Sequence, residues 1–217
     1  MSRRAGRHHH NSILHEPLPG FEHVLRFYDP RYSRILAKIL PGEYYLTNAP
    51  NEIIVTTLGS CVSACIRDPK SGLGGMNHFM LPGVADQAGQ SLSRVSTANC
   101  YGVFAMENLI TEILKYGGQH DRLEIKITGG GRIGWGSGTV GDSNAQFIQT
   151  FLEVEGFHPI VTDLGGSHPR KVQYYPLSGK LRIKKLAALT ATTVIKEEVL
   201  YQQQILQRPM TGTVEIF

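Results

Sequence analysis

An unbroken apolar and β-branched run, Ile53-Ile54-Val55-Thr56-Thr57-Leu58, is the plainest pattern in the chain. It has no helical period and predicts a buried strand. Gly59-Ser60 interrupts it, and a second strand is expected over 61–67. There Val62, Ala64 and Ile66 take one face, and Cys61, Ser63 and Cys65 the other. Asp68-Pro69-Lys70-Ser71 suits a type I turn, in which Asp accepts backbone hydrogen bonds and Pro fixes φ. A third strand follows through Met76, His78 and Met80, and Leu81-Pro82-Gly83 ends it.

On either side of this hairpin the pattern alternates between the two periods. Upstream, 31–40 reads as a short amphipathic helix and 42–46 as the first strand of the domain. Downstream, 83–99 is small, polar and aperiodic and is expected to be a loop. A helix over 101–116 stops at Gly117-Gly118, and 123–128 alternates as a strand. Ser143 is placed to cap a helix running to Glu155, with Phe147, Ile148, Phe151 and Leu152 inward. A strand over 157–164, a hairpin of 171–175 with 180–185, and a final Glu- and Gln-rich helix over 190–206 complete the order. Residues 212–217 form a short strand or a free tail. The expected fold is an α/β (α+β) sandwich of mixed β-sheets flanked by helices, in one domain. Residues 42–188 are expected to form the main domain, 1–41 a partly disordered extension, and 189–217 a C-terminal helix and tail packed on the domain.

Composition narrows the function classes. A chain of 217 residues with 41% hydrophobic and 18% charged content can bury a core of ordinary size. No apolar run approaches a membrane span and no leader pattern is visible, so a cytoplasmic protein without membrane insertion is expected. The net charge of +4 is too diffuse to argue for nucleic acid. Arg3, Arg4 and Arg7 precede His8-His9-His10 in what reads as a solvated tail rather than a metal site. Cys61 and Cys65 are roughly 13 Å apart along one strand, too far to bridge, which suits a reducing compartment. Neither metal nor cofactor is expected.

The chemistry on offer is a thiol and an imidazole. With the turn centred between Pro69 and Lys70, antiparallel partners have numbers adding to about 139. Cys61 and His78 then pair on one face, with Cβ atoms roughly 4.5–5.5 Å apart. An imidazole beside a thiol takes its proton and makes the thiolate nucleophile. Gly59 and Ser60 let the chain turn sharply, so that backbone amides there face a developing oxyanion. Thr56 or Thr57 is placed to orient the imidazole or bind a substrate amide. Burial alone would also account for Cys61, because a free cysteine packs as a small hydrophobe, and His78 would then be a satisfied core histidine. Gly129 to Gly138 holds six glycines. Gly129, Gly131 and Gly134 formally fit a dinucleotide fingerprint, but no helix opens within the motif and no acidic residue follows at the required distance. The loop is read instead as a close-approach surface, with Gly130 and the only tryptophan, Trp135, as candidate substrate contacts.

Thr-x-Leu-Gly-Ser-Cys-Val at 56–62, Asp68-Pro69 and Asn77-His78-Phe79-Met80-Leu81-Pro82 together resemble the CheD family of chemoreceptor glutamine deamidases. Val140-Gly141-Asp142-Ser143-Asn144 is similar to that family's Ile-Gly-x-x-Asn, and Asp163-Leu164-Gly165-Gly166 with Arg170 to its Asp-Leu-Gly-Gly-x-x-x-Arg. The likeness covers roughly 42–188. It implies a nucleophile at Cys61, a base at His78 and a catalytic-site threonine at Thr56, with Thr57 adjacent. It also implies a protein-glutamine glutaminase that converts glutamines on the cytoplasmic helices of chemoreceptors to glutamate plus ammonia through a thioester, and possible partnership with a CheC-type phosphatase. Thr128-Gly129-Gly130-Gly131-Arg132 departs from the family's shorter Phe-Gly-Gly-Ala-like segment. A non-catalytic adaptor for receptors or for a CheC-type phosphatase is the competing reading, and a thiol peptidase a third.

Overall fold

In the computed structural model, residues 14–81, 91–133 and 138–207 are described. Among these residues, ten strands form two mixed sheets of five. The first sheet contains β1 (Leu25–Asp29), β2 (Arg34–Lys38), β4 (Glu52–Leu58), β9 (Arg170–Tyr175) and β10 (Lys180–Lys185), adjacent in that order. The second contains β3 (Tyr44–Thr47), β6 (Leu73–Asn77), β5 (Val62–Asp68), β7 (Glu124–Gly129) and β8 (Val161–Leu164), again in spatial order. Only β2–β4 and β7–β8 run parallel. Helices α1 (Ser91–Lys115) and α2 (Gly138–Val154) pack on the second sheet. Helix α3 (Ala188–Gln207) follows β10.

The two sheets share one core. Ala37, Ile54, Leu58, Val172 and Tyr174 from the first meet Tyr45, Leu46, Cys65, Ile66 and Met76 from the second, all buried. Met106, Leu109 and Ile113 of α1 and Ile148 and Leu152 of α2 join them. Both faces of the second sheet are therefore covered, which is why β5 and β6 are buried throughout save Arg67 and carry no alternating polar face. Gly75 in β6 marks the tightest approach. A Cβ there would lie 2.6 Å from Leu109 Cδ1 and from the Tyr45 carbonyl oxygen, so the strand and α1 meet only because the side chain is absent.

The α+β sandwich expected from the pattern is present, with several local differences. The helix expected over 31–40 is strand β2. Ile35, Leu36 and Ala37 are consecutive and all buried, because β1 and β4 hydrogen-bond on its two sides and packing overrides helical periodicity. The strands β1 and β2 thus come from within the first 41 residues. The loop expected over 83–99 is helical from Ser91 onward. Helix α2 starts at Gly138, so Ser143 lies inside it rather than at its cap. The strand expected from 157 begins only at Val161, since Phe157 is occupied in packing on the His120 ring at 4.5 Å between centroids. Residues 1–13, which include the His8–His10 run, and 212–217 lie outside the described residues.

Candidate active site

Cys61 sits in the short connection between β4 and β5, one residue ahead of Val62. Two glycines of the 129–131 segment grip this connection through the backbone. The Gly130 N–H donates to the Cys61 carbonyl and the Gly131 N–H to the Gly59 carbonyl, both at 2.8 Å. Gly129 has φ +123, and a Cβ on it would stand 2.2 Å from the Cys61 carbonyl oxygen, so no other residue fits. Asn144 of α2, fully buried, donates through Nδ2 to the Ser60 carbonyl and accepts from the Leu81 N–H through Oδ1, both at 2.8 Å. Arg170, also buried, pairs with Asp163 at 2.8 Å and donates to the Gly165 carbonyl. The Arg132 N–H then bonds the Gly166 carbonyl at 2.7 Å. The three downstream motif segments thus meet at or beside the 59–61 connection and fix its shape.

His78 follows β6 and is buried. Its N–H donates to the Glu43 carbonyl at 2.9 Å and its carbonyl accepts from the Gly42 N–H at 2.7 Å. The ring is set by Thr56. Thr56 Oγ1 donates to the Ile39 carbonyl at 2.9 Å and lies 2.8 Å from His78 Nδ1. A hydroxyl has one hydrogen. With that hydrogen committed to Ile39, Oγ1 must accept from Nδ1–H, and the lone pair of the neutral ring falls on Nε2. His78 Nε2 is buried and has no hydrogen-bond partner. Thr57, the neighbouring alternative, is half-buried and opposite Lys171 in the β4–β9 ladder; Thr56 is the one on the ring.

The register differs from the expected one. Cys65 pairs with Met76 and Asp68 with Leu73, and Val62 bridges to Phe79. The turn is longer than a two-residue hairpin loop: Gly72, at φ +71, donates to the Asp68 carbonyl at 3.1 Å. Cys61 and His78 are therefore diagonal rather than directly opposite. A shift by two positions preserves the face, and the Cys61 sulfur still lies within 4.8 Å of a His78 ring nitrogen.

A third group completes the cluster, and it is one the sequence pattern did not single out. Glu198 of α3 is buried, with its carboxylate within 4.8 Å of both the sulfur and the imidazole. Its Oε1 accepts from the Gly59 N–H at 2.8 Å and the Cys61 N–H at 3.0 Å. Its Oε2 accepts from the Ser60 N–H at 2.9 Å and Ser60 Oγ at 2.7 Å. The signal was present: Val194, Glu198, Tyr201 and Ile205 recur at helical spacing, with one acidic residue inside an otherwise apolar stripe. Asn144, quoted within a motif, also emerges with a structural role only in three dimensions.

The electrostatics follow from burial and this carboxylate. Burial first, then the Glu198 charge, pushes the Cys61 thiol well above its ordinary value. Burial lowers His78 to about 4, opposed by Glu198. Thiol and imidazole are therefore both neutral in this arrangement. Thiol, imidazole and carboxylate are also the donor set of a divalent metal. However, both Glu198 oxygens are already turned to N–H and O–H donors, which is the environment of an anion rather than a cation. Of the expected substrate contacts, Gly130 is buried and spent on the Cys61 carbonyl, while Trp135 lies outside the described residues. A cavity of about 400 Å³ adjoins His78 between β3, β6 and α1, lined among others by Tyr44, Phe79, Tyr101 and the half-exposed Phe104.

Comparison with known proteins gives the family to which this chain is similar. The family described as CheD chemotactic sensory transduction matches residues 80–185. A protein of Halorhodospira halophila named probable chemoreceptor glutamine deamidase CheD is 49% identical, covering 92% of this chain and 93% of its own. Proteins with the same name from Hahella chejuensis (46% identical, 92% of this chain and 93% of the relative) and Saccharophagus degradans (44%, 94% and 94%) are similar over nearly the whole chain.

Proposed function

The chain belongs to the CheD family, and on that premise we propose that it is a protein-glutamine glutaminase acting on chemoreceptor glutamines through Cys61. The observation that carries the residue assignment is the Thr56–His78–Cys61 cluster, in which Thr56 fixes the tautomer and leaves Nε2 unpartnered, with a ring nitrogen within 4.8 Å of the sulfur. In this reading Nε2 takes the thiol proton and the sulfur attacks the glutamine Cδ. The N–H groups of Gly59, Ser60 and Cys61 receive the oxygen as it gains charge. The C–N bond breaks as the imidazolium protonates the leaving ammonia. Water, deprotonated by the same nitrogen, then cleaves the thioester, releasing glutamate and restoring the thiol. Residues 42–188 carry this chemistry.

No helix among the described residues is long and apolar enough to cross a membrane. The three cysteines are free, and a reducing cytoplasm facing the receptors' cytoplasmic helices suits them. A CheC-type phosphatase, offering a receptor-like surface in place of the substrate, is the further partner this reading admits.

Cys61→Ala is expected to keep the fold and its melting behaviour but to release no ammonia from a receptor cytoplasmic fragment, measured by peptide mass before and after incubation. Ammonia release at the parental rate would refute the assignment.

A further inference from the structure

The group that closes the candidate active site is itself a glutamate borne on a helix. From this we infer that α3 is an intramolecular competitor of the substrate: Glu198 occupies the 59–61 amide nest as the product carboxylate would, and α3 must withdraw before a receptor helix is processed. The inference rests on the proposed role of Cys61.

Two observations converge on it. First, the carboxylate receives all three backbone N–H groups of 59–61 and the Ser60 hydroxyl, the donors assigned above to the reacting carbonyl. Second, the fit is built rather than incidental. A Cβ on Gly59 would stand 2.7 Å from Glu198 Oε2, and the tip of Tyr201 fills the space a Cβ on Gly42 would need, at 2.5 Å from its hydroxyl. Tyr201 also shares a hydrogen bond of 2.7 Å with Tyr101 of α1, and Val194 is buried. The face 194–198–201 is thus anchored on both sides of Glu198. With α3 seated, the sulfur has no exposed surface, and no second side chain can share four donors already in use. Glutamate differs from glutamine only in replacing NH2 by O. The same seat therefore shows that a helix-borne side chain of substrate length reaches the nest.

A self-processing reaction follows. With glutamine at position 198, the sulfur attacks Cδ of that residue, the C–N bond breaks and ammonia leaves with the imidazolium proton. Water, deprotonated at His78, then cleaves the C–S bond, leaving glutamate and the free thiol.

The test uses the full chain in five forms: parental, Glu198→Ala, Val194→Asp, Glu198→Gln, and Glu198→Gln combined with Cys61→Ala. Iodoacetamide labelling of Cys61, followed by peptide mass, reads access without requiring catalysis. Labelling in Glu198→Ala and in Val194→Asp should accelerate on the order of tenfold; labelling at the parental rate in both overturns the proposal. Deamidation of a receptor cytoplasmic fragment should rise in Glu198→Ala, chiefly through a lower KM. If labelling accelerates while no variant releases ammonia, the glutaminase reading fails and the seated helix stands. If ammonia release is unaltered across the variants, the glutaminase reading stands and the competitor is overturned. Glu198→Gln should gain about one mass unit at position 198 with time, and not in the Cys61→Ala background.

Discussion

At the scale of the residue, the site is governed by where single protons and lone pairs are forced to reside. Thr56 donates to the Ile39 carbonyl and can only accept from the imidazole. Thr56→Val keeps the shape but leaves Nδ1–H without an acceptor and frees the ring to adopt the opposite tautomer. Receptor deamidation should fall roughly 10- to 100-fold, with Thr56→Ser restoring most of it; steady-state kinetics of both variants separates this from a general loss of fold. His78 also sets a pH dependence of stability. Its folded pKa, about 4, lies below the ordinary 6.5 because the ring is buried. Between these values the unfolded chain binds the proton and the folded chain does not, so stability is lost as pH falls through that window. Unfolding free energies from urea titrations at pH 7 and pH 5 should differ by about 2 kcal/mol more in the parental chain than in His78→Gln.

At the scale of the element, the hairpin of β5 and β6 sets the distance between sulfur and ring. Asp68 holds its turn. Its buried carboxylate accepts from the Lys70 N–H at 2.9 Å, the Gln119 N–H at 3.1 Å and Arg122 Nε at 3.0 Å, and the Arg122 guanidinium holds it well below the usual carboxylate range. Asp68→Ala leaves these donors without an acceptor and should cost about 2–3 kcal/mol, with a matching fall in deamidation as the register loosens; thermal melts and activity assays read the two effects. The hairpin, its residues and its facing thiol and imidazole were legible in the sequence because β-branched runs, glycines and an Asp-Pro turn are local signals. Its register was not, because the turn closes on Gly72 rather than between Pro69 and Lys70. Nor was β2, whose residues 35–37 take their conformation from neighbours on both sides.

At the scale of the whole molecule, two sheets and two helices bring together segments far apart in the chain. The connection at 59–61 is held by Gly130, Asn144 and Glu198, and only the first two belong to segments whose motif or composition drew notice. Asn144 shows why such residues are hard to read from sequence. Its amide satisfies two backbone groups on different elements, a role set entirely by tertiary placement. Glu198 is harder still, since an acidic residue in a Gln- and Glu-rich helix has every reason to be solvated. The basic character of the chain plays no visible part in the site among the described residues.

The complete burial of the Cys61 sulfur reaches beyond substrate access. Peroxides attack thiolates that solvent can reach, and the resulting sulfenic acid would end a nucleophile's working life. A sulfur kept protonated and covered between encounters is spared that chemistry. Oxidative inactivation of this protein should therefore accumulate with the number of receptors it has served rather than with its age.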